Sequence, residues 1–197
     1  SAASDVYKRQ ANNTCYIPNR TQEKKICGSK EGKTMNINKF TQNSLQAVQN
    51  CEKIAADNGN QELAQEHLLY ALLTQDDSLI LKLFEKMNIQ GQLFINSIEQ
   101  AIGKRPKVQG GQAYVGQDLN NVLIHAEDEA KQMGDEYVSV EHLFLALLKY
   151  PNKAMKEIFK EYGITRDRFL QALSTVRGNQ RVVSVSYTHL TLPTNSL

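Results

Sequence analysis

Tryptophan is absent from this 197-residue chain, and aromatic residues make up only 7% of it. A core built without large rings leans toward aliphatic helices rather than a β-sandwich. Cysteine is scarce as well. Cys15, Cys27 and Cys51 form neither a CxxC pair nor an even disulfide framework, which fits a reducing compartment, and a cytoplasmic location is expected. No apolar run approaches the roughly 18 residues that cross a bilayer, and the polar, lysine-bearing amino end lacks the apolar centre of a secretory signal. The patterns Asn12-Asn13-Thr14 and Asn19-Arg20-Thr21 are therefore read as chance rather than as glycosylation sites. Charge of one sign is also missing: the net charge is +2, and residues 1–34 hold seven Lys/Arg against three Asp/Glu, leaving sixteen against eighteen in 35–197. The slightly acidic remainder offers no basic face, so neither nucleic acid nor a membrane is an expected partner.

What the chain does contain is a copy of itself. Residues 42–100 align without a gap on residues 117–175, at a constant spacing of 75. Glu66-His67-Leu68 falls on Glu141-His142-Leu143, and Ala71-Leu72-Leu73 on Ala146-Leu147-Leu148. Thirteen of 59 positions are identical, where average composition gives about 4 by chance. A duplicated unit that buries its apolar side against its twin is the simplest consequence.

Residues 1–34 show no helical or strand period and are expected to be disordered or non-native; residues 183–197 are read in the same way. Between them, 35–182 reads as one domain, with repeat one over 39–106 and repeat two over 114–180. Leu119, Val122, Leu123, Ala126, Ala130 and Met133 recur at spacings of three and four, which predicts a helix from about Gln117 to Met133. Ala47, Val48, Cys51 and Ala55 repeat that face, and Thr41 stands where an N-cap hydroxyl belongs. Gly59 and Gly134 are placed to close the two helices in left-handed geometry. EHLLYALL and EHLFLALL are apolar all round, so each predicts a short, central, buried helix, the second capped by Ser139. Third helices are expected at about Ser78–Met87 and Ala154–Tyr162, and fourth helices at Gln90–Ile102 and Thr165–Val176. The expected fold is all-α: an eight-helix, pseudo-twofold duplication of a four-helix unit with disordered tails, joined by the loop KRPKVQGGQAYVG.

The candidates for chemistry are few. Gly28-Ser29-Lys30-Glu31-Gly32-Lys33-Thr34 imitates a phosphate loop but is one residue short, with Cys27 where the first glycine belongs and a solvated stretch where a buried strand should precede it. The acidic run Glu127-Asp128-Glu129 lies on a helix rather than at a strand end. The Glu66-His67 and Glu141-His142 pairs lack the four-residue histidine spacing of HExxH, and adjacent helical side chains diverge by about 100°. His67 and His142 are read as packing and hydrogen-bonding at helix starts, His125 as a boundary residue, and Cys51 as a small buried hydrophobe. No catalytic residue and no metal ligand is assigned. Binding remains: two helical quartets meeting face to face leave apolar seams suited to peptide segments, and Asp135 and Glu141 fall where they could rim one.

At this level the motifs become familiar. MNINKFT, QEHLLYALLTQDD, GQDLNNVLIHAEDEAK, YVSVEHLFLALL and ITRDRFLQALSTVRGNQRV, in that order, resemble the amino-terminal domain of the Hsp100/Clp family of protein disaggregases, from about Met35 to Val182. The resemblance implies a Clp N-domain fold that captures unfolded or aggregated protein clients for ATP-driven AAA+ modules. The family's client-contact positions fall on Thr41, Asp135 and Glu141, with Glu66 as the repeat partner of Glu141. By the same resemblance, ATP and Mg²⁺ belong to a longer hexameric parent and no cofactor to this domain, which is expected to be a monomer when isolated. A protease-linked branch implies the alternative of adaptor or phosphoarginine binding through the paired glutamates; it carries GTEH where this chain has AQEH and SVEH.

Overall fold

The computed structural model describes residues 35–108 and 110–178; the two tails, Cys15, Cys27 and the Gly28–Thr34 loop lie outside them. After a 3-10 turn at Ile37–Lys39 come α1 (Gln42–Asp57), β1 (Glu62–Leu63), α2 (Gln65–Leu73), α3 (Leu79–Lys86), α4 (Gly91–Gly103), β2 (Tyr114–Val115), α5 (Gln117–Gln132), α6 (Val140–Lys149), α7 (Lys153–Glu161) and α8 (Arg166–Arg177). Eight α-helices are thus present among the described residues, in two sets of four. Three of the four pairs, α1 and α5, α2 and α6, α4 and α8, begin 75 residues apart.

The helix boundaries follow local chemistry. Thr41, Ser78, Asn152 and Thr165 each accept a backbone N–H of the first turn and so satisfy a donor the helix cannot. Gly59 (φ 71°) and Gly134 (φ 74°) close α1 and α5 in the left-handed region, as their positions predict. Ser139 stands at the N-cap of α6 as expected, but its side chain accepts no first-turn N–H. Its N–H donates to His142 Nδ1 at 3.0 Å and its hydroxyl turns to the same nitrogen, so the ring caps the residue rather than the reverse. In the other half Ala64, which has no hydroxyl, donates its N–H to His67 Nδ1 at 2.9 Å.

The helical period did not reveal two short parallel pairings. Leu63 pairs with Val115 across β1 and β2, and Phe40 pairs with Val138 as an isolated bridge. These are one contact made twice, since Val138 lies 75 residues beyond Leu63 and Phe40 lies 75 before Val115. Each half lends the residues before its first helix to the residues before the other half's second helix. That reciprocity is what a twofold relation produces, and it ties the halves together through backbone hydrogen bonds.

Helices α2 and α6 are buried round their circumference and sit at the centre, as their composition predicts. Phe144 on α6 joins the halves: its ring lies 5.7 Å from Phe84 of α3, 5.9 Å from Phe159 of α7 and 4.5 Å from Phe169 of α8. Phe84 in turn meets Phe94 edge-on at 4.9 Å, and Phe94 stacks on Phe159 at 6.4 Å. Offset and edge-on rings each add about 0.5–1.5 kcal/mol beyond the area they bury. Even with few aromatic residues, the chain concentrates five phenylalanines in its inter-repeat core.

Candidate functional site

Thr41, Asp135 and Glu141 lie near the junction of the two repeats, and Glu66 occupies the matching place in the first repeat. The backbone N–H of Thr41 donates to the Val138 carbonyl at 2.9 Å. Its side-chain oxygen accepts from Ser44 N at 3.4 Å, while the Ser44 hydroxyl donates to Val138 at 2.6 Å. Thr41 therefore both caps α1 and anchors the crossover from the second repeat.

The carboxylates face inward. Asp135 accepts from His142 Nε2 at 2.9 Å, and its side chain is fully buried. Arg177, the last residue of α8, places its Nη2 on both oxygens of Asp135 and its Nη1 3.8 Å from Glu141. Glu66 is held in the same manner, with Arg105 Nη1 and Asn152 Nδ2 each 3.2 Å from its oxygens. Arg105 also reaches Glu62 at 2.9 Å. Each repeat thus keeps its glutamate against an arginine of its own, Arg177 at the end of α8 and Arg105 just beyond α4. The rim pictured from the sequence is an internally neutralised set of ion pairs, because carboxylates this buried need a partner to remain charged.

Both histidines are neutral, for the same reason. With Nδ1 accepting a backbone N–H, Nε2 must carry the hydrogen, and it donates to Asp135 in one repeat and lies 3.1 Å from Asn60 Oδ1 in the other. Burial, with Arg105 nearby, lowers the His67 pKa to about 4. His142 is lowered too, chiefly by burial, against the opposing pull of Glu141 and Asp135. Cys51 is buried in α1, and desolvation raises its thiol pKa, so it is not a nucleophile. His125 stacks on Tyr150 at 4.4 Å and bonds Asp128. No group of three or more His, Cys, Asp or Glu suited to a metal occurs among the described residues, and no described helix is long and apolar enough to cross a membrane.

Asp135 also lines a cleft of about 400 Å³, with Asn38, Lys39, Glu127, Ala130, Lys131, Glu136, Tyr137 and Val138. Residues from the start of the first repeat form one wall and the end of α5 with the following loop form the other. Sequence reasoning missed this cleft, since its walls meet through long-range contacts: the Phe40 and Val138 pairing and the Asn36 N–H on Glu127 Oε1 at 2.8 Å. It also missed Glu129, which is fully buried on α5 and paired with Lys149 at 3.3 Å and Arg166 at 2.6 Å. In the other repeat that position is Ile54, and this was the available clue.

A duplicated helical quartet with paired, arginine-neutralised glutamates and an inter-repeat cleft defines a helical binding domain with no catalytic constellation among the described residues. The family comparison names it: the Clp repeat (R) N-terminal domain family matches residues 39–188, and the chain belongs to that family. Over 158 residues it is 42% identical to the chaperone protein ClpB of Nitratidesulfovibrio vulgaris, covering 77% of this chain and 18% of that protein. It is 36% identical over 155 residues to ClpB of Bacillus anthracis, covering 76% and 18%. The chain therefore spans about a fifth of the length of these relatives. Among solved structures, the Hsp104 N-terminal domain from Candida albicans superposes with a TM-score of 0.66 at 26% identity, covering 74% of this chain and 96% of that one. A ClpV N-domain in complex with a VipB peptide shares the fold, with a TM-score of 0.58 at 17% identity, covering 73% and 89%.

Proposed function

We propose that this domain captures unfolded or aggregated polypeptides and passes them to an ATP-driven ring in a longer cytoplasmic parent chain, where ATP and Mg²⁺ would act. The observation that carries this reading is the family match over residues 39–188 together with the cleft between the repeats. Client contact is assigned to Thr41, Asp135 and Glu141, with Glu66 as the counterpart in the first repeat. Asp135 lines the cleft, and Thr41 borders it through Val138. A ClpV N-domain with a bound peptide supports peptide binding by this fold. Apolar burial contributes about 25 cal/mol per Å², and the association cost offsets much of it in so small a cleft, so micromolar or weaker affinity is expected. Several tethered copies would then hold a client by avidity without any single contact becoming a trap.

Adaptor or phosphoarginine binding through Glu66 and Glu141 is the less favoured reading. Both carboxylates already face arginines of this chain, which an arginine ligand would have to displace.

The test is titration of the ¹⁵N-labelled 197-residue chain with reduced, carboxymethylated α-lactalbumin, a permanently unfolded client. Shifts should concentrate on residues 127–138 and around Thr41. Thr41→Asp keeps an N-cap acceptor while adding charge beside the cleft, and should weaken binding with the fold intact. For Glu141 the suitable change is Glu141→Gln, because Glu141→Lys would set a second cation against Arg177. Absence of any shift at high client concentration removes the proposal.

A further inference from the structure

The two repeats differ in whether one backbone edge is covered. In the first repeat the loop joining the halves runs alongside residues 59–63. Val108 N–H donates to the Gly59 carbonyl at 2.8 Å, Tyr114 N–H to Gln61 at 3.0 Å and Gly116 N–H to Leu63 at 2.8 Å. The alternate carbonyls are all used, by donors at 108, 114 and 116: the last two are in parallel strand register, while six residues separate the first from the second. Asn60 Nδ2 adds a hydrogen bond to the Pro106 carbonyl at 3.1 Å. The Lys107 stem lies over Gly59, where an added methyl carbon would sit 3.8 Å from its Cβ.

The corresponding edge in the second repeat is residues 134–138. Its last carbonyl, Val138, accepts from Thr41 N–H at 2.9 Å, which repeats the Gly116 bond. The match stops there. Lys39 N–H, which stands where Tyr114 does, donates instead to Asn36 within the 3-10 turn. Among the described residues no donor reaches the carbonyl of Gly134 or Glu136, and both residues are exposed. The 400 Å³ cleft lies against this stretch, with Ala130, Tyr137 and Val138 in its wall.

We propose that this edge receives an extended segment of the client, laid parallel to residues 134–138, whose alternate backbone N–H groups donate to Gly134 and Glu136. The chain's own residues 106–108 on Gly59 and Asn60 are the internal template for the contact at Gly134, and Tyr114 on Gln61 for the contact at Glu136. Exposed carbonyls spaced two residues apart recognise an extended backbone and ignore side-chain identity, which suits a domain that meets many sequences. Asp135 replaces Asn60 and so provides no amide donor, so the bond that Asn60 makes to Pro106 has no counterpart from this side chain. This inference rests on the client-capture reading and specifies its binding mode.

The probe is a synthetic decapeptide of residues 104–113, titrated into the labelled full chain with and without a backbone N-methyl group at its Val108 position. Binding should shift the amides of residues 127–138. The single N-methyl should weaken binding about fivefold, the effect of one lost hydrogen bond, while N-methylation at the neighbouring Lys107 position should leave it within twofold. Equal effects at both positions, shifts located elsewhere, or no binding of the decapeptide would each overturn the proposal. If carboxymethylated α-lactalbumin still binds in those cases, client capture survives and only the strand-like mode is lost. If its shifts fall on residues 35–41 alone, the turn itself rearranges to cover Glu136, and the edge is not a client site.

Discussion

His142 and Asp135 form a fully buried pair, Nε2 to Oδ2 at 2.9 Å, at the place where the other repeat sets His67 against Asn60. The same histidine geometry accepts an amide or a carboxylate, but the carboxylate requires a cation, and Arg177 supplies it. Asp135→Asn therefore restores the pattern of the first repeat and should cost less than Asp135→Ala. Arg177→Ala alone strands a buried carboxylate and should cost about 3 kcal/mol. Asp135→Asn combined with Arg177→Ala should recover most of that loss. Urea unfolding of the four variants checks the ordering; an additive double variant would show that the two residues are not coupled.

Stability should fall with acidity because of the same helix starts. His67 titrates at about 4 in the folded chain and at about 6.5 when unfolded, so the unfolded chain binds more protons between those values. The stabilisation is whole above about pH 6.5 and is lost as pH drops toward 4, by about 3 kcal/mol. His142 is displaced in the same direction and steepens the decline. Urea midpoints at pH 7, 5.5 and 4 give the slope, and His67→Asn should flatten it whatever its effect on stability at pH 7.

Phe144 is the ring through which the repeats are coupled, touching Phe84 of one half and Phe159 and Phe169 of its own. Phe144→Ala should cost about 3–5 kcal/mol. Its counterpart in the other repeat is Leu69, so Phe144→Leu makes the halves alike while leaving a smaller cavity, and should cost less. Thermal unfolding monitored at both repeats should remain one transition in each case. Separate transitions would show that the halves fold independently.

The helices were legible because each element carries its own signal: a three-to-four period in α1 and α5, apolar circumference in α2 and α6, and Thr41 and Thr165 as caps. The duplication reinforces these signals, because the period and the apolar circumference each occur in both repeats. Tertiary arrangement was less visible. The strand-like crossovers at Phe40 and Val138 are too short to show alternation, and the cleft forms beside the place where they meet. Asp135 and Glu141 were legible as polar residues at helix ends, but not that Arg177 and Arg105, forty or so residues away, turn such carboxylates inward. Burial of a charge depends on a distant partner, and a local pattern does not contain it.

Glu129 offers the clearest test of what such burial contributes. On α5 it occupies the position that Ile54 fills on α1, yet it is fully buried between Lys149 and Arg166. A buried pair weighs desolvation against attraction and often gives little net stability, whereas removing one member is costly. Glu129→Ile alone leaves Arg166, whose side chain is 34% exposed, without its carboxylate and should destabilise the domain by about 2 kcal/mol, less than a fully buried charge would cost. Lys149 is partly exposed and can turn to water, so it adds little to that loss. Glu129→Ile with Arg166→Leu replaces the pair by two apolar side chains, isoleucine being the first repeat's own residue at the first position, and should return stability to within about 1 kcal/mol of the parent. A double-mutant cycle in urea measures the coupling. If Glu129→Ile by itself is neutral, the ion pair contributes nothing in the folded state and the asymmetry between the repeats has another origin.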